Sequence, residues 1–169
     1  PPLQEGRLMA ALALALFALC FALAFGARTV LQKLETGSSG FRGISGRPGS
    51  VEWFGGALFA GAIVAGLAAP LLDLAGVVEP VGALDGWFGH TLGVILYGLG
   101  LVGTLVAQAA MGRSWRIGVD ESEKTELVTT GPFALVRNPI FSAMIPAFLG
   151  LALLVPDVVA LAGFVALGI

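Results

Sequence analysis

The chain predicts an all-α integral membrane protein, a bundle of about five transmembrane helices, on three observations. Its 169 residues are 57% hydrophobic and only 12% charged, with a mean hydropathy of +0.93, far from the balance of a soluble domain. Apolar runs of about twenty residues recur, each long enough as helix to cross roughly 30 Å of hydrocarbon. A single long polar stretch, Gly112 to Pro139, interrupts them and gathers Arg113, Arg116, Lys124 and Arg137 with Asp120, Glu121, Glu123 and Glu126. Spans this dense leave no room for a separate soluble domain, so residues 1–169 read as one transmembrane domain.

Composition also excludes. A net charge of -2, with no polybasic arm or stripe, gives no footing for nucleic acid. The single cysteine, Cys20, lies inside an apolar run, so no internal disulfide and no thiol-rich metal site can be built.

The first span covers about Leu8 to Ala27 and ends where Arg28 breaks the apolar run. A secretory signal peptide is the competing reading, since Arg7 precedes the run and Ala22-Leu23-Ala24 resembles a cleavage site. The apolar core exceeds the usual h-region of about 7 to 15 residues, which favours a retained helix. Arg28 to Glu52 then reads as a loop, because TGSSGFRGISGRPGS is rich in Gly, Ser and Pro.

Span two, about Trp53 to Leu74, opens on an interfacial aromatic and carries a small-residue stripe, Ala57, Gly61, Ala65 and Ala69, for close helix approach. A second loop, Gly76 to Gly89, holds Glu79 and Asp85 but no Lys or Arg. Span three, about His90 to Met111, begins after a short turn and includes Gly89-x-x-x-Gly93, another close-packing signature. Span four runs from Pro139 to about Val155 with a kink expected at Pro146. Pro156-Asp157 turns into span five, Val158 to Ile169 and beyond.

All nine basic residues but Arg7 fall in the first and third loops, which places both loops in the cytosol and the N-terminus outside. The polar island then faces cytosolic cofactors while touching lipid, in a protein expected in a bacterial cytoplasmic membrane.

Within the island, Arg137-Asn138-Pro139 reads as a helix start, with Asn at the N-cap and Pro at the first helical position. The amides of Ile140, Phe141 and Ser142, the positive end of the helix dipole and Arg137 would together seat a carboxylate or phosphate. Upstream, Thr129-Thr130-Gly131-Pro132 supplies a turn that a ligand can approach closely. Trp115 to Val119 and Glu126 to Thr130 have strand-like content, so a short β-hairpin or irregular insert on the membrane surface is expected. Trp115, Phe133, Leu135 and Val136 are buried-type residues, which argues for a folded piece rather than a solvated loop.

GRSWRIGVD followed by ELVTTGPFALVRNPIFSAM resembles the core signature of the isoprenylcysteine carboxyl methyltransferase family, whose relatives include phospholipid N-methyltransferases and, more distantly, membrane sterol reductases. The family pattern is a Gly-Pro-aromatic turn, then Val-Arg-His-Pro-x-Tyr opening a transmembrane helix, and later a pair of glutamates. The resemblance covers about Met111 to Met144. It implies a membrane enzyme that moves the methyl of S-adenosylmethionine to a lipophilic, prenylated or lipid-linked acceptor.

Cofactor-binding roles pass by that resemblance to Gly131, Pro132, Phe133, Val136, Asn138, Pro139 and Phe141, with Val128 and Thr130 as weaker candidates. Asn138 replaces His and cannot titrate, and Phe141 replaces Tyr and offers no hydroxyl. The glutamate pair would stand beyond Ile169, where the rest of span five is expected.

Methyl transfer from a sulfonium chiefly requires alignment and exclusion of water. Trp115, Phe133 and Phe141 are aromatics available to the sulfonium, and Arg137 can bind the methionine carboxylate or an anionic acceptor group. An amine acceptor would need a base, for which Glu126 and Asp120 are the local candidates. A plain interfacial arginine is the alternative reading of Arg137.

Gly98-Leu99-Gly100-Leu101-Val102-Gly103 matches GxGxxG, but no strand precedes it, so its glycines read as helix packing. His90, the only histidine, reads as interfacial rather than as a metal ligand. Gln108, near the cytosolic end of span three, is a candidate to line the site. Two other functions stay open: a sterol-reductase-like enzyme using NADPH, and a non-enzymatic membrane scaffold.

Overall fold

The first helix outlasts its apolar run. The computed structural model describes residues 2–118 and 128–169, and begins with α1 (Pro2–Phe21), which passes through a π-helical turn (Ala22–Ala27) directly into α2 (Arg28–Thr36). Arg28 is therefore not the end of the first helix, and Arg28 to Thr36 is helical rather than loop. Arg-Thr-Val-Leu-Gln-Lys-Leu-Glu-Thr contains no Gly or Pro, so helix continues as a polar extension until Gly37. Gly37 adopts φ 77°, and its amide bonds the Lys33 carbonyl at 2.9 Å, a left-handed C-terminal stop.

Next come α3 (Val51–Leu74), α4 (Trp87–Met111), α5 (Pro139–Leu154) and α6 (Val158–Gly168). The starts of α3 and α6 are capped by side chains: Ser50 Oγ accepts from Trp53 N at 3.2 Å, and Asp157 Oδ1 from Val159 N and Ala160 N at 2.7 and 2.9 Å. Residues Gln4–Thr36, Val51–Leu74 and Trp87–Ser114 form helices long and apolar enough to cross a membrane. At 16 and 11 residues, α5 and α6 reach only about 24 and 17 Å. Among the described residues there is no strand, so the insert is irregular there. The proposed hairpin's first arm instead meets the first loop, through a parallel bridge between Phe41 and Ile117. Val119 to Leu127, which includes Asp120 and Glu126, lies outside the described residues.

The tightest packing is α4 on α5. A Cβ added at Gly100 would lie 2.5 Å from Ala147 N, and one at Gly150 would lie 2.5 Å from the Gly93 carbonyl oxygen. Gly100 and Gly103 of the GxGxxG run thus face α5, as helix packing requires, while Gly98 meets nothing within 4 Å. On α3 the seam is Ala62, Ala65, Gly66 and Ala69 rather than Ala57 and Gly61: Gly66 sits against Phe17, and Ala65 against Gly163 of α6. Gly61 is exposed. The main core gathers Ala10, Ala13, Phe17, Ala69, Tyr97, Ala147, Leu151 and Leu154 around α5.

Loop contacts sort the two ends of the bundle. The Arg42 amide donates to Ile117 O at 2.8 Å, joining the first and third loops. At the other end, the Val81 amide donates to Pro156 O at 2.7 Å, joining the second loop to the α5–α6 turn. The two basic loops therefore share one end.

Candidate functional site

The island's turn is built around Gly131. At φ 59° it occupies the left-handed region, and its α-carbon faces Ala110 near the end of α4, with 3.9 Å from an added Cβ to the Ala110 Cβ. Pro132 then starts a single 3₁₀ turn, Gly131–Ala134, closed by Phe133 N to Thr130 O at 3.2 Å and Leu135 N to Pro132 O at 3.1 Å. Val128, Pro132 and Phe133 are half-buried, whereas Thr130, Gly131, Val136, Arg137 and Asn138 are exposed. Leu135 is 86% exposed and Val136 42%, so neither is the buried residue its apolar character suggested. At a bilayer surface such residues can meet acyl chains instead of a core.

The helix start forms as read. Asn138 Oδ1 accepts from Phe141 N at 3.2 Å, Pro139 is buried, and Ser142 N and Oγ both donate to the Asn138 carbonyl at 3.0 Å. Two of the three amides assigned to an anion are thereby engaged. Only the Ile140 amide stays open, so backbone amides alone make a weaker anion seat here than expected.

The polar centre of this end lies on α2 and α4 instead. Gln108 Nε2 donates to the Ala24 carbonyl at 2.9 Å, inside the π-helical turn. One turn further along both helices, Arg28 Nη2 donates to the Gly112 carbonyl and, at 3.0 Å, to Gln32 Oε1. Gln32 Nε2 completes the run by donating to Arg113 O at 2.7 Å. The Arg28 guanidinium lies 5.1 Å from the centre of the Trp115 ring, and Trp115 is 2% exposed. Trp115 is therefore occupied as the floor beneath Arg28 and is not a free aromatic for a sulfonium.

The π turn has a direct geometric effect. One extra residue rotates the following helix by about 100° relative to an uninterrupted α-helix, which changes the face on which Arg28 and Gln32 emerge. Nothing local in Ala-Leu-Ala-Phe-Gly-Ala announces that turn, so the network escaped sequence reasoning. Its one visible signal was Gln108, a polar side chain inside an apolar span.

Below this end, an apolar groove between α1, α4 and α5 is lined by Phe17, Phe21, Phe25, Tyr97, Met144 and Phe148, among others, and reaches Ala24 and Thr104. An aromatic ladder follows it: Phe17–Phe21 at 6.3 Å between ring centres, Phe21–Phe25 at 5.0 Å, Phe25–Phe59 at 6.4 Å and Phe59–Phe141 at 5.3 Å. The ladder connects the bundle interior to the first turn of α5. The groove touches α5 at Met144 to Leu151, one turn and more below Asn138, rather than beside the Asn-Pro pair itself. At the far end, His90 Nε2 lies 3.2 Å from Asp85 Oδ1, away from the island.

Residues 88–168 match the family model of phospholipid methyltransferases. The match bears out a kinship to membrane methyltransferases related to phospholipid N-methyltransferases, and it supports membrane methyltransferase function. Neither the reductase nor the scaffold alternative is favoured by it. No curated protein and no solved structure matches the chain.

Proposed function

We propose that the chain is an S-adenosylmethionine-dependent methyltransferase of the isoprenylcysteine carboxyl methyltransferase type, acting from the cytosolic face on a lipophilic or lipid-linked acceptor. The observation that supports this best is the meeting of two surfaces at one end of the bundle. There an aromatic ladder runs from the apolar bundle interior through Phe25 and Phe59 to Phe141, in the first turn of α5 beside the Asn138-Pro139 helix start. Two buried polar atoms without partners, Arg28 Nε and Gln108 Oε1, lie at the same end and fit a polar ligand.

In this reading the cofactor, when bound, supplies a methyl on a sulfonium whose departure leaves a neutral thioether. Gly131, Pro132, Phe133 and Val136 form its wall, with Val128 and Thr130 at the edge. Asn138 and Pro139 hold the helix start in place, and Phe141, 40% exposed, offers a ring face next to Phe59. Arg137 is exposed and free to reach an anionic group on the acceptor. A carboxylate acceptor needs no base, whereas an amine must release a proton as its nitrogen gains the methyl.

The test incubates the purified protein in nanodiscs with methyl-labelled S-adenosylmethionine and a total membrane lipid extract. A labelled lipophilic product that disappears in the Arg137→Ala and Gly131→Val variants is expected. No labelled lipid, together with no binding of S-adenosylhomocysteine, would overturn the reading.

A further inference from the structure

Arg28 is a cation in an unusual setting. It is 8% exposed, yet its hydrogen-bond partners are neutral carbonyl oxygens, of Gly112 and of the Gln32 side chain; the Trp115 ring lies beneath it, and Glu35, further along α2, acts on it only at longer range. No carboxylate lies within ion-pair distance of it among the described residues, and its Nε has no partner. A buried charge with no counter-charge in contact is costly unless something anionic completes it.

One helical turn away stands the opposite deficiency. Gln108 is 4% exposed, and with its Nε2 spent on the Ala24 carbonyl, its Oε1 has no donor. Ala24 and Arg28 are one turn apart on the first helix, as Gln108 and Gly112 are on α4. The bonds Gln108–Ala24 and Arg28–Gly112 are thus successive rungs between two helices, separated by about 5–6 Å along the axis. An orphaned donor on a cation and an orphaned acceptor therefore sit roughly one turn apart, at the root of the island.

We infer that Arg28 and Gln108 form a binding site for the zwitterionic end of a ligand, with an anionic oxygen group on Arg28 and an N–H donor a few bonds away on Gln108 Oε1. This rests on the methyltransferase reading and deepens it. Two ligands of such an enzyme have this chemistry: the amino-acid end of the cofactor, a carboxylate beside an ammonium, and an aminophospholipid head, a phosphate beside an ammonium. The site also shifts the main anion-binding role from exposed Arg137 to buried Arg28. A water molecule bridging the two atoms is the competing occupant, and it would leave ligand affinities untouched.

The experiment measures binding by calorimetry to the full chain in nanodiscs. One arm compares S-adenosylhomocysteine with 5′-methylthioadenosine, which lacks the amino-acid end. The other compares dihexanoyl phosphatidylethanolamine with dihexanoyl glycerol, which lacks the head. Both arms are run on the unaltered protein and on Arg28→Met, Arg28→Lys and Gln108→Leu, with thermal unfolding as the folding control.

If the cofactor is the source, the unaltered protein binds S-adenosylhomocysteine at least tenfold tighter than 5′-methylthioadenosine. Arg28→Met and Gln108→Leu then erase most of that ratio, Arg28→Lys restores part of it, and binding of 5′-methylthioadenosine is unchanged. If the lipid is the source, the same pattern moves to the second pair. Ratios below about twofold in both pairs on the unaltered protein overturn the inference without recourse to any variant. Retained nucleoside binding in that case leaves the methyltransferase reading standing, whereas loss of all nucleoside binding removes both.

Discussion

Gly98 and Gly100, two positions apart in one apolar helix, should respond in opposite directions to the same substitution. An added Cβ at Gly100 would lie 2.5 Å from Ala147 N and 2.7 Å from both Ala143 O and Ala147 Cβ, where ordinary contact begins at 3.4 Å. Two of those three atoms are backbone, so no side-chain rotation relieves the clash, and α4 must retreat from α5 by about 1 Å. Overpacking of that kind costs about 1–3 kcal/mol, against a gain of about 0.5–1 kcal/mol from replacing glycine in a helix. Gly98→Ala takes the gain alone, since nothing lies within 4 Å of the new carbon.

The predicted separation between the two variants is thus about 1–3 kcal/mol, with Gly98→Ala the more stable. It can be read as the order of thermal unfolding midpoints in one detergent, followed by circular dichroism. The α4 end also bears Ala110, against which Gly131 sits, so Gly100→Ala should weaken S-adenosylhomocysteine binding as well. Equal midpoints, or Gly98→Ala the less stable, would refute the assignment of the glycine faces. A dinucleotide fingerprint would instead make both glycines intolerant.

Three further outcomes are expected. Asn138→Ala removes the acceptor for Phe141 N and costs about 1 kcal/mol at the helix start, while Asn138→Asp keeps the cap; if an anion binds at this end, calorimetry finds S-adenosylhomocysteine weakened in the Asp variant with unfolding unchanged. Tyr97→Phe loses the 2.9 Å bond from its hydroxyl to Leu16 O, worth about 0.6 kcal/mol and at most about 1.7 in a membrane bundle; a larger loss on unfolding in detergent would show that the ring had repacked. Gly118 has φ 87° and an added Cβ would collide with the Gly43 carbonyl, so Gly118→Ala should undock the first loop. Trypsin should then cut after Arg42 faster than in the unaltered protein, and an unchanged rate would contradict the docking.

Features with local causes were legible in the residues. The Asn138-Pro139 start is legible because an N-cap needs only a side-chain oxygen within three residues of a free amide. The turn at Gly131-Pro132 is legible because a left-handed dihedral and a fixed proline act on their own peptide units. Arg28 misled for the same reason: a charge ends an apolar run, but only a stop such as Gly37 ends a helix. Trp115 and Arg28, far apart in sequence, are assigned to each other by no pattern, and their pairing turned a candidate sulfonium ring into the bed of a guanidinium.

The amino-acid order by itself determines that this chain enters a bilayer, how its apolar runs are punctuated, and that its basic loops belong together. Hydrocarbon length, helix caps and charge bias act over one turn or one span at a time. Only the tertiary structure decides which glycines meet α5, that the π turn presents Ala24 to Gln108, and that Arg28 closes on the Gly112 carbonyl. Those depend on how closely helices approach from distant parts of the chain, and a residue's own neighbours in sequence do not specify that distance.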